Sequence, residues 1–395
     1  VTETDVQTEA NARADSEGQA DAEVRVDADV RADAEVRADA DVRADSKVQA
    51  QTEAQALWRA MPPQRLLDCG MLFGDILSLE RATADGVPWD QAAENLGEAH
   101  AARAEEQRAR GHRVSATQSL RAASAAFQFA QMPLADGDRK RQLYRRIADT
   151  LRAIPDALFD RIEVPFGGRT MTGWTMLPDG TPRGAVVVFG GQSGWGASYL
   201  RVADALAGRG IATVLAEGPG QGETRLFGGV YLDVDVAGAF SRFVDVAVTL
   251  SGDGGVGIWG NSLGGLFAAL TAARDDRIRA CCVNGGFAAP RLLAFRTFRE
   301  QAAAMLGEDR PEAIQANFDR LAFDPQRDHI AAELLVVHGG ADPLVAPEDQ
   351  QPFLDGARPG HSRLMVWENG DHTIYNRGDE RNAAVSDWFA DHLAA

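Results

Sequence analysis

The chain has 395 residues, 45% of them hydrophobic and 25% charged, with a formal net charge of −18. That is room for about two domains of about 150 residues each, with the balance of an ordinary globular protein. The acidic total excludes a general nucleic-acid binder, which needs a basic face, and no run approaches the roughly 20 apolar residues that span a bilayer.

The charge is unevenly placed. Residues 1–53 carry fifteen Asp or Glu against six Arg or Lys, a net of −9. They include a six-residue repeat, Arg25-Val-Asp-Ala-Asp-Val30 through Arg43-Ala-Asp-Ser-Lys-Val48. Six residues turn a helix by about 600°, so the valines scatter around it, and in a strand neither face is apolar enough to organise a core. Residues 1–52 are therefore expected to be an acidic, low-complexity, disordered leader. No basic-then-apolar signal opens the sequence, which points to the cytoplasm. The three cysteines fit that compartment: Cys69 stands alone, and Cys281 and Cys282 are adjacent on an apolar run, so reduced packing is expected rather than a disulfide framework or a metal site.

Residues 53–156 are predicted to be a helical domain. Apolar residues recur at helical spacing in Trp89, Ala92, Ala93 and Leu96 and in Leu120, Ala123 and Phe127, with breakers at Met61-Pro62-Pro63, Gly86-Val87-Pro88, Gly111 and Met132-Pro133. Its Trp58, Met71, Phe73, Trp89, Phe127, Phe129 and Met132 are expected to be mostly core, with a wall of the substrate pocket as the competing role. After Pro155 short β-rich runs alternate with helical ones, the mark of a parallel sheet with crossover helices. Eight strands are expected, near Arg161–Phe166, Thr170–Leu177, Gly184–Phe189, Ala212–Ala216, Val256–Trp259, Ala280–Asn284, Glu333–His338 and Arg363–Glu368, with Gly167-Gly168 closing a hairpin between the first two. Two helical stretches, Pro290–Leu306 and Pro311–Phe323, lie in a segment too long for a simple connection, so about 287–328 is expected to form a cap in a domain running 157–395.

Gly260-Asn261-Ser262-Leu263-Gly264-Gly265 follows the apolar run Val256–Trp259 and opens a small-residue helical stretch. That context predicts a nucleophile elbow, in which flanking glycines permit a sharp turn and the serine hydroxyl is lifted toward the positive end of the next helix. Asp342 follows the apolar run Leu334–Val337, and His372 follows Leu364–Trp367, so both are placed in loops after strands. The order Ser262, Asp342, His372 is that of α/β-hydrolases and of neither other common serine triad. Taken singly, a doubly wound turn, a helix-capping aspartate and a surface histidine would explain them. The oxyanion donors are expected to be the N–H of Leu263 and one from Phe189-Gly190-Gly191-Gln192-Ser193-Gly194-Trp195-Gly196, with Gln192 preferred and Gly191 next.

Glu217-Gly218-Pro219-Gly220-Gln221-Gly222-Glu223 breaks the dinucleotide pattern at Glu223 and follows the fourth strand instead of the first, so no nucleotide cofactor is expected. The loop is read as the pocket floor, with Glu223 either holding a structural arginine such as Arg225 or assisting catalysis. The remaining histidines are scattered without ligand spacing, so neither a metal nor any other cofactor is expected. Trp195, Phe227, Tyr231, Phe287, Phe295 and Tyr375 suggest an apolar or aromatic small-molecule substrate, although a buried core explains many of them equally well. The net charge disfavours a strongly anionic one.

With Trp89-Asp90-Gln91-Ala92, Ile162-Glu163-Val164-Pro165-Phe166 and Gly370-Asp371-His372-Thr373-Ile374-Tyr375-Asn376, these motifs resemble the 2,6-dihydroxypseudooxynicotine hydrolase and fungal polyketide-shortening hydrolase group, near the FrsA-like esterases. The resemblance covers roughly 57–395. It implies an α/β-hydrolase fold with a mostly parallel eight-stranded sheet, an N-terminal helical domain and a helical cap, a homodimer, and either ester or carbon–carbon bond hydrolysis. Ser262, Asp342 and His372 match its triad positions, and Glu217 stands where the group commonly has Asp. An acyltransferase or cyclase using the same residues, and a binding module that keeps the fold, are the alternatives.

Overall fold

A computed structural model describes residues 51–154 and 159–394, so the acidic repeat and the boundary near Pro155 fall outside it. Residues 51 and 52, placed in the leader on sequence grounds, begin the helical stretch α1 (51–60). There follow α2 (Pro63–Asp68), α3 (Phe73–Ala84), α4 (Trp89–Ala109), α5 (Arg113–Gln131) and α6 (Asp138–Arg152). The long pair α4 and α5 is closed by a glycine. Gly97 sits in the middle of α4, where it costs about 1 kcal/mol of helix propensity relative to Ala; a Cβ there would lie 2.6 Å from the Phe127 ring, so its absence lets that fully buried ring lie on the α4 backbone.

The sheet contains β1 (Phe159–Phe166), β2 (Arg169–Met176), β3 (Ala185–Phe189), β4 (Ala212–Glu217), β5 (Val256–Asn261), β6 (Ile278–Asn284), β7 (Glu333–Gly339) and β8 (Ser362–Trp367), in the spatial order β1-β2-β4-β3-β5-β6-β7-β8. Gly167 and Gly168, both at positive φ, close the β1–β2 hairpin; β2 also runs antiparallel to β4, and the remaining pairs are parallel. The inner strands read as continuous apolar runs because both faces are covered. Val186 and Val188 point into one layer and Val187 and Phe189 into the other.

The layers are built from α7 (Leu200–Ala207), α8 (Gly222–Leu226), α9 (Val236–Leu250), α10 (Leu263–Ala272), α11 (Arg296–Leu306), α12 (Pro311–Leu321), α13 (Pro347–Asp355) and α14 (Gly378–Leu393). Helices α9 and α10 share the core of Val187 and Phe189, to which α11 and α12 add Phe298, Met305, Ile314 and Phe318. The opposite core is continuous from Trp174, Val186 and Trp259 into Leu66, Phe127, Phe129, Leu143 and Tyr144, so the N-terminal helices are packed as an extension of one sheet face. Of the aromatic and Met residues expected in that region's core, Met71, Trp89, Phe127, Phe129 and Met132 are buried, Trp58 is half-buried, and Phe73 is exposed on the first turn of α3. The cysteines are free, with Cys281 and Cys282 buried on β6.

Candidate active site

Ser262 occupies the single residue between β5 and α10, at φ 59° and ψ −133°. A non-glycine residue there costs about 1–3 kcal/mol and persists only where its surroundings fix it. They do: its N–H donates to the Asn284 carbonyl at 2.8 Å, and its own carbonyl accepts from Gly265 N–H at 2.8 Å. The turn is tight enough that a Cβ at Gly260 would strike the Gly264 carbonyl, and one at Gly264 would lie 2.5 Å from the Gly190 oxygen. Beneath it, Asn261 Nδ2 donates to the Phe189 carbonyl at 3.1 Å, and Asn284 Nδ2 donates to Asn261 Oδ1 at 2.8 Å and to the Thr373 carbonyl at 3.2 Å.

The loops after β7 and β8 converge on this hydroxyl. His372 Nε2 lies 2.9 Å from Ser262 Oγ, and its Nδ1 lies 2.8 Å from Asp342 Oδ2. The other Asp342 oxygen accepts the N–H groups of Leu344 and Val345 at 2.8 and 3.2 Å, and its side chain is fully enclosed. A carboxylate only accepts, so Nδ1 carries the imidazole proton and Nε2 faces the serine O–H as an acceptor. The loop is braced by a reciprocal pair, Asp371 N–H to Asn376 Oδ1 and Asn376 N–H to Asp371 Oδ1, at 3.2 and 3.1 Å.

The loop after β3 is pressed onto the start of α10. A Cβ at Gly191 would lie 2.7 Å from the Leu263 nitrogen, so only glycine lets this backbone approach. The loop is clamped from below by buried Gln221, whose Nε2 donates to the Gly190 and Gly191 carbonyls at 2.6 and 3.0 Å while its Oε1 accepts from Gly218 N–H. Gln192 turns its side chain to the Phe298 carbonyl at 3.1 Å, tying the loop to α11. Trp195 is buried between Tyr144, Lys140 and Arg225, against the N-terminal helices. Tyr375 lies 6.5 Å from His372 with the Arg65 guanidinium over its ring. Phe287 is buried, whereas Phe227, Tyr231 and Phe295 are each more than 40% exposed.

Glu223 does hold a structural arginine, but the arginine is Arg161 and not the Arg225 named as the example. Glu223 accepts from Arg161 Nε at 2.9 Å, and Arg225 bonds Asp136 Oδ1 and the Gly220 carbonyl at 2.9 and 3.0 Å. Residues two apart on α8 point to different faces. The nearby acid to which the sequence assigned no role, beyond standing where the resembled group commonly has Asp, is Glu217, at the end of β4. It is buried and accepts Tyr144 O–H at 2.5 Å and Glu223 N–H at 2.7 Å. Burial and then the neighbouring Glu223 charge push its carboxyl up to about 7, against the pull of the Tyr144 bond. Beside it, burial and then Arg225 lower the Lys140 ammonium to about 8, although Asp136 opposes this. Gln221, Asn261 and Asn284 were also missed. Asn261 and Asn284 are signalled only as polar residues closing apolar strands, and Gln221 only by its place in the glycine-rich loop after β4.

A cleft of about 460 Å³ lined by His338, Pro347, Gln350 and Leu364 contains none of these site residues. Among the described residues no group of His, Cys, Asp and Glu could hold a metal ion, and no helix is long and apolar enough to cross a membrane.

Comparison with known proteins agrees with this architecture. The sequence profile of the prolyl oligopeptidase family matches residues 246–395, the part that carries all three converging side chains. The chain is 27% identical over 343 residues to a 2,6-dihydropseudooxynicotine hydrolase from Paenarthrobacter nicotinovorans, covering 84% of this chain and 91% of that one. The crystal structure of a 2,6-dihydroxy-pseudo-oxynicotine hydrolase superposes with a TM-score of 0.75 at 26% identity, over 84% of this chain and 95% of that one. The structure of AbyA5 shares the fold, with a TM-score of 0.58 at 18% identity over 80% of this chain and 93% of that one.

Proposed function

We propose that this chain, a member of the α/β-hydrolase superfamily, is a serine hydrolase that cleaves a small apolar or aromatic carbonyl compound. Its substrate would be an ester, or a ketone whose carbon–carbon bond is broken by water. The observation that carries the proposal is the single histidine bridging Ser262 Oγ and Asp342 Oδ2 at 2.9 and 2.8 Å, with the serine held at positive φ on a glycine-flanked turn. A binding module has no use for that strain.

In this reading a serine hydroxyl, weakly nucleophilic at neutral pH, gives its proton to His372 Nε2 as Oγ attacks the carbonyl carbon. Asp342 holds the tautomer and stabilises the imidazolium. Negative charge moves to the carbonyl oxygen, where the N–H of Leu263 and that of Gln192 or Gly191 would receive it; each such donor is worth about 10²–10³ in turnover. Collapse expels the leaving group, protonated by His372, and leaves an acyl-serine that water hydrolyses by the same steps in reverse roles. A carbon leaving group departs only as a stabilised carbanion, so β-diketones and aromatic ketones fit and simple alkyl ketones do not. The hydrolase names borne by the relatives at 26–27% identity support the class.

Turnover of an ester panel and an aromatic-ketone panel in ¹⁸O-water tests this. One ¹⁸O in the carboxylic acid product, absent with Ser262→Ala, is expected. Consumption of substrate only with an added alcohol or amine, and no ¹⁸O-labelled acid, would replace hydrolysis by acyl transfer.

A further inference from the structure

The two residues after His372 are, like Ser262, held at positive φ. Thr373 (φ 55°, ψ 16°) and Ile374 (φ 60°, ψ 41°) are consecutive left-handed residues, both with β-branched side chains and both buried. Each such residue costs about 1–3 kcal/mol and needs surroundings that over-determine it. The Thr373 carbonyl is where they are held. It accepts Arg381 Nη1 at 2.7 Å as well as the weaker bond from Asn284 Nδ2 at 3.2 Å.

Arg381 is itself buried on α14, so its charge must be met inside the protein. The partner comes from the N-terminal helices: Arg381 Nη2 lies 2.9 and 3.0 Å from the two oxygens of Asp68, the last residue of α2, whose side chain is 8% exposed. Asn382 Oδ1 accepts the remaining Nε at 3.0 Å. Asp68 is packed so closely on the start of α14 that a Cβ at Gly378 would strike its Oδ1. The same short helix reaches the opposite loop, where Arg65 Nη2 donates to Ser193 Oγ at 2.8 Å and its guanidinium lies 5.7 Å from the Tyr375 ring centre.

We infer that α2 is a positioning element for His372. Asp68, acting through Arg381, pins the left-handed Thr373–Ile374 turn and so holds the imidazole between Ser262 and Asp342. The inference rests on the serine-hydrolase reading. Asp68→Asn is nearly isosteric but leaves a buried guanidinium without its counter-charge, which loosens its hold on the Thr373 carbonyl. A shift of about 1 Å in a catalytic group costs about 10²-fold.

The test compares wild type, Asp68→Asn and Arg381→Lys by fluorophosphonate labelling rate, by kcat and KM, and by the low-field proton resonance of the His372–Asp342 hydrogen bond. Asp68→Asn is expected to label and turn over about 10²-fold more slowly with KM within about threefold, and to lose or broaden the low-field line. Arg381→Lys keeps a cation for Asp68 but lacks the planar fork that serves Thr373 at the same time, so it should fall between the two. It also carries the test if Asp68→Asn does not fold. Variants with a lowered Tm but wild-type labelling, turnover and low-field line would make α2 a structural prop and overturn the inference. Wild type that fails to label would sink the serine-hydrolase reading instead, and the low-field line would still report whether Asp68 positions the histidine.

Discussion

The turn around Ser262 and the seam between the N-terminal helices and the active-site loops are both tightly fixed, by opposite means. The turn spans six consecutive residues, Gly260–Gly265, and its geometry is set by missing side chains and by backbone contacts within itself and to the ends of β3 and β6. The seam is set by pairs far apart in sequence: Asp68 with Arg381, Arg65 with Ser193, Tyr144 with Glu217 and Asp136 with Arg225. The proposed nucleophile is thus presented by six adjacent residues, while the alignment of its base depends on side-chain pairs between distant segments.

The sharpest break in that comparison removes the base that the turn and the seam both serve. His372→Ala should lower kcat/KM by about 10⁴-fold or more with little change in Tm, as measured by turnover and thermal melting. Gly191→Ala comes next. The added Cβ falls 2.7 Å from the Leu263 nitrogen, so the loop must move away, and turnover should drop about 10²–10³-fold while the fold persists.

A smaller, pH-dependent effect belongs to the seam. The Glu217 carboxyl is raised to about 7 in the folded protein from 4.5, so the folded state holds a proton that the unfolded chain releases. Its contribution is present in full below about 4.5 and is lost as pH rises through about 7. Tm of the wild type relative to Glu217→Gln should therefore decline between pH 5 and pH 8, and a constant difference would contradict the assignment. Least affected should be Arg121→Ala. This removes a forked pair with Asp204, both bonds 2.8 Å, at the exposed edge of the same seam, and Tm should fall by no more than about 2 °C.

Sequence legibility followed the same division. The glycine-flanked serine, the strand-following Asp342 and His372, the β1–β2 hairpin and the parallel strands could all be read, because each is written in adjacent residues or in one apolar run. The order of the strands and the joining of the N-terminal helices to one sheet face could not, since neither leaves a local pattern. Glu223 illustrates the limit. Its neighbour Arg225 looked like a partner in sequence, but helical geometry turned it toward Asp136, and Arg161 of β1 took its place. Arg381 gave no warning, and Glu217, marked only as a family position, gave no sign of its burial, because a buried charge is recognisable only once its partner is known.

The most direct measurement is the intact mass of wild type, Ser262→Ala and His372→Ala after exposure to a fluorophosphonate. One phosphonyl adduct on wild type, none on Ser262→Ala and strongly slowed labelling of His372→Ala are expected. An adduct that survives in Ser262→Ala, or labelling of His372→Ala at the wild-type rate, would contradict the claim that His372 activates Ser262.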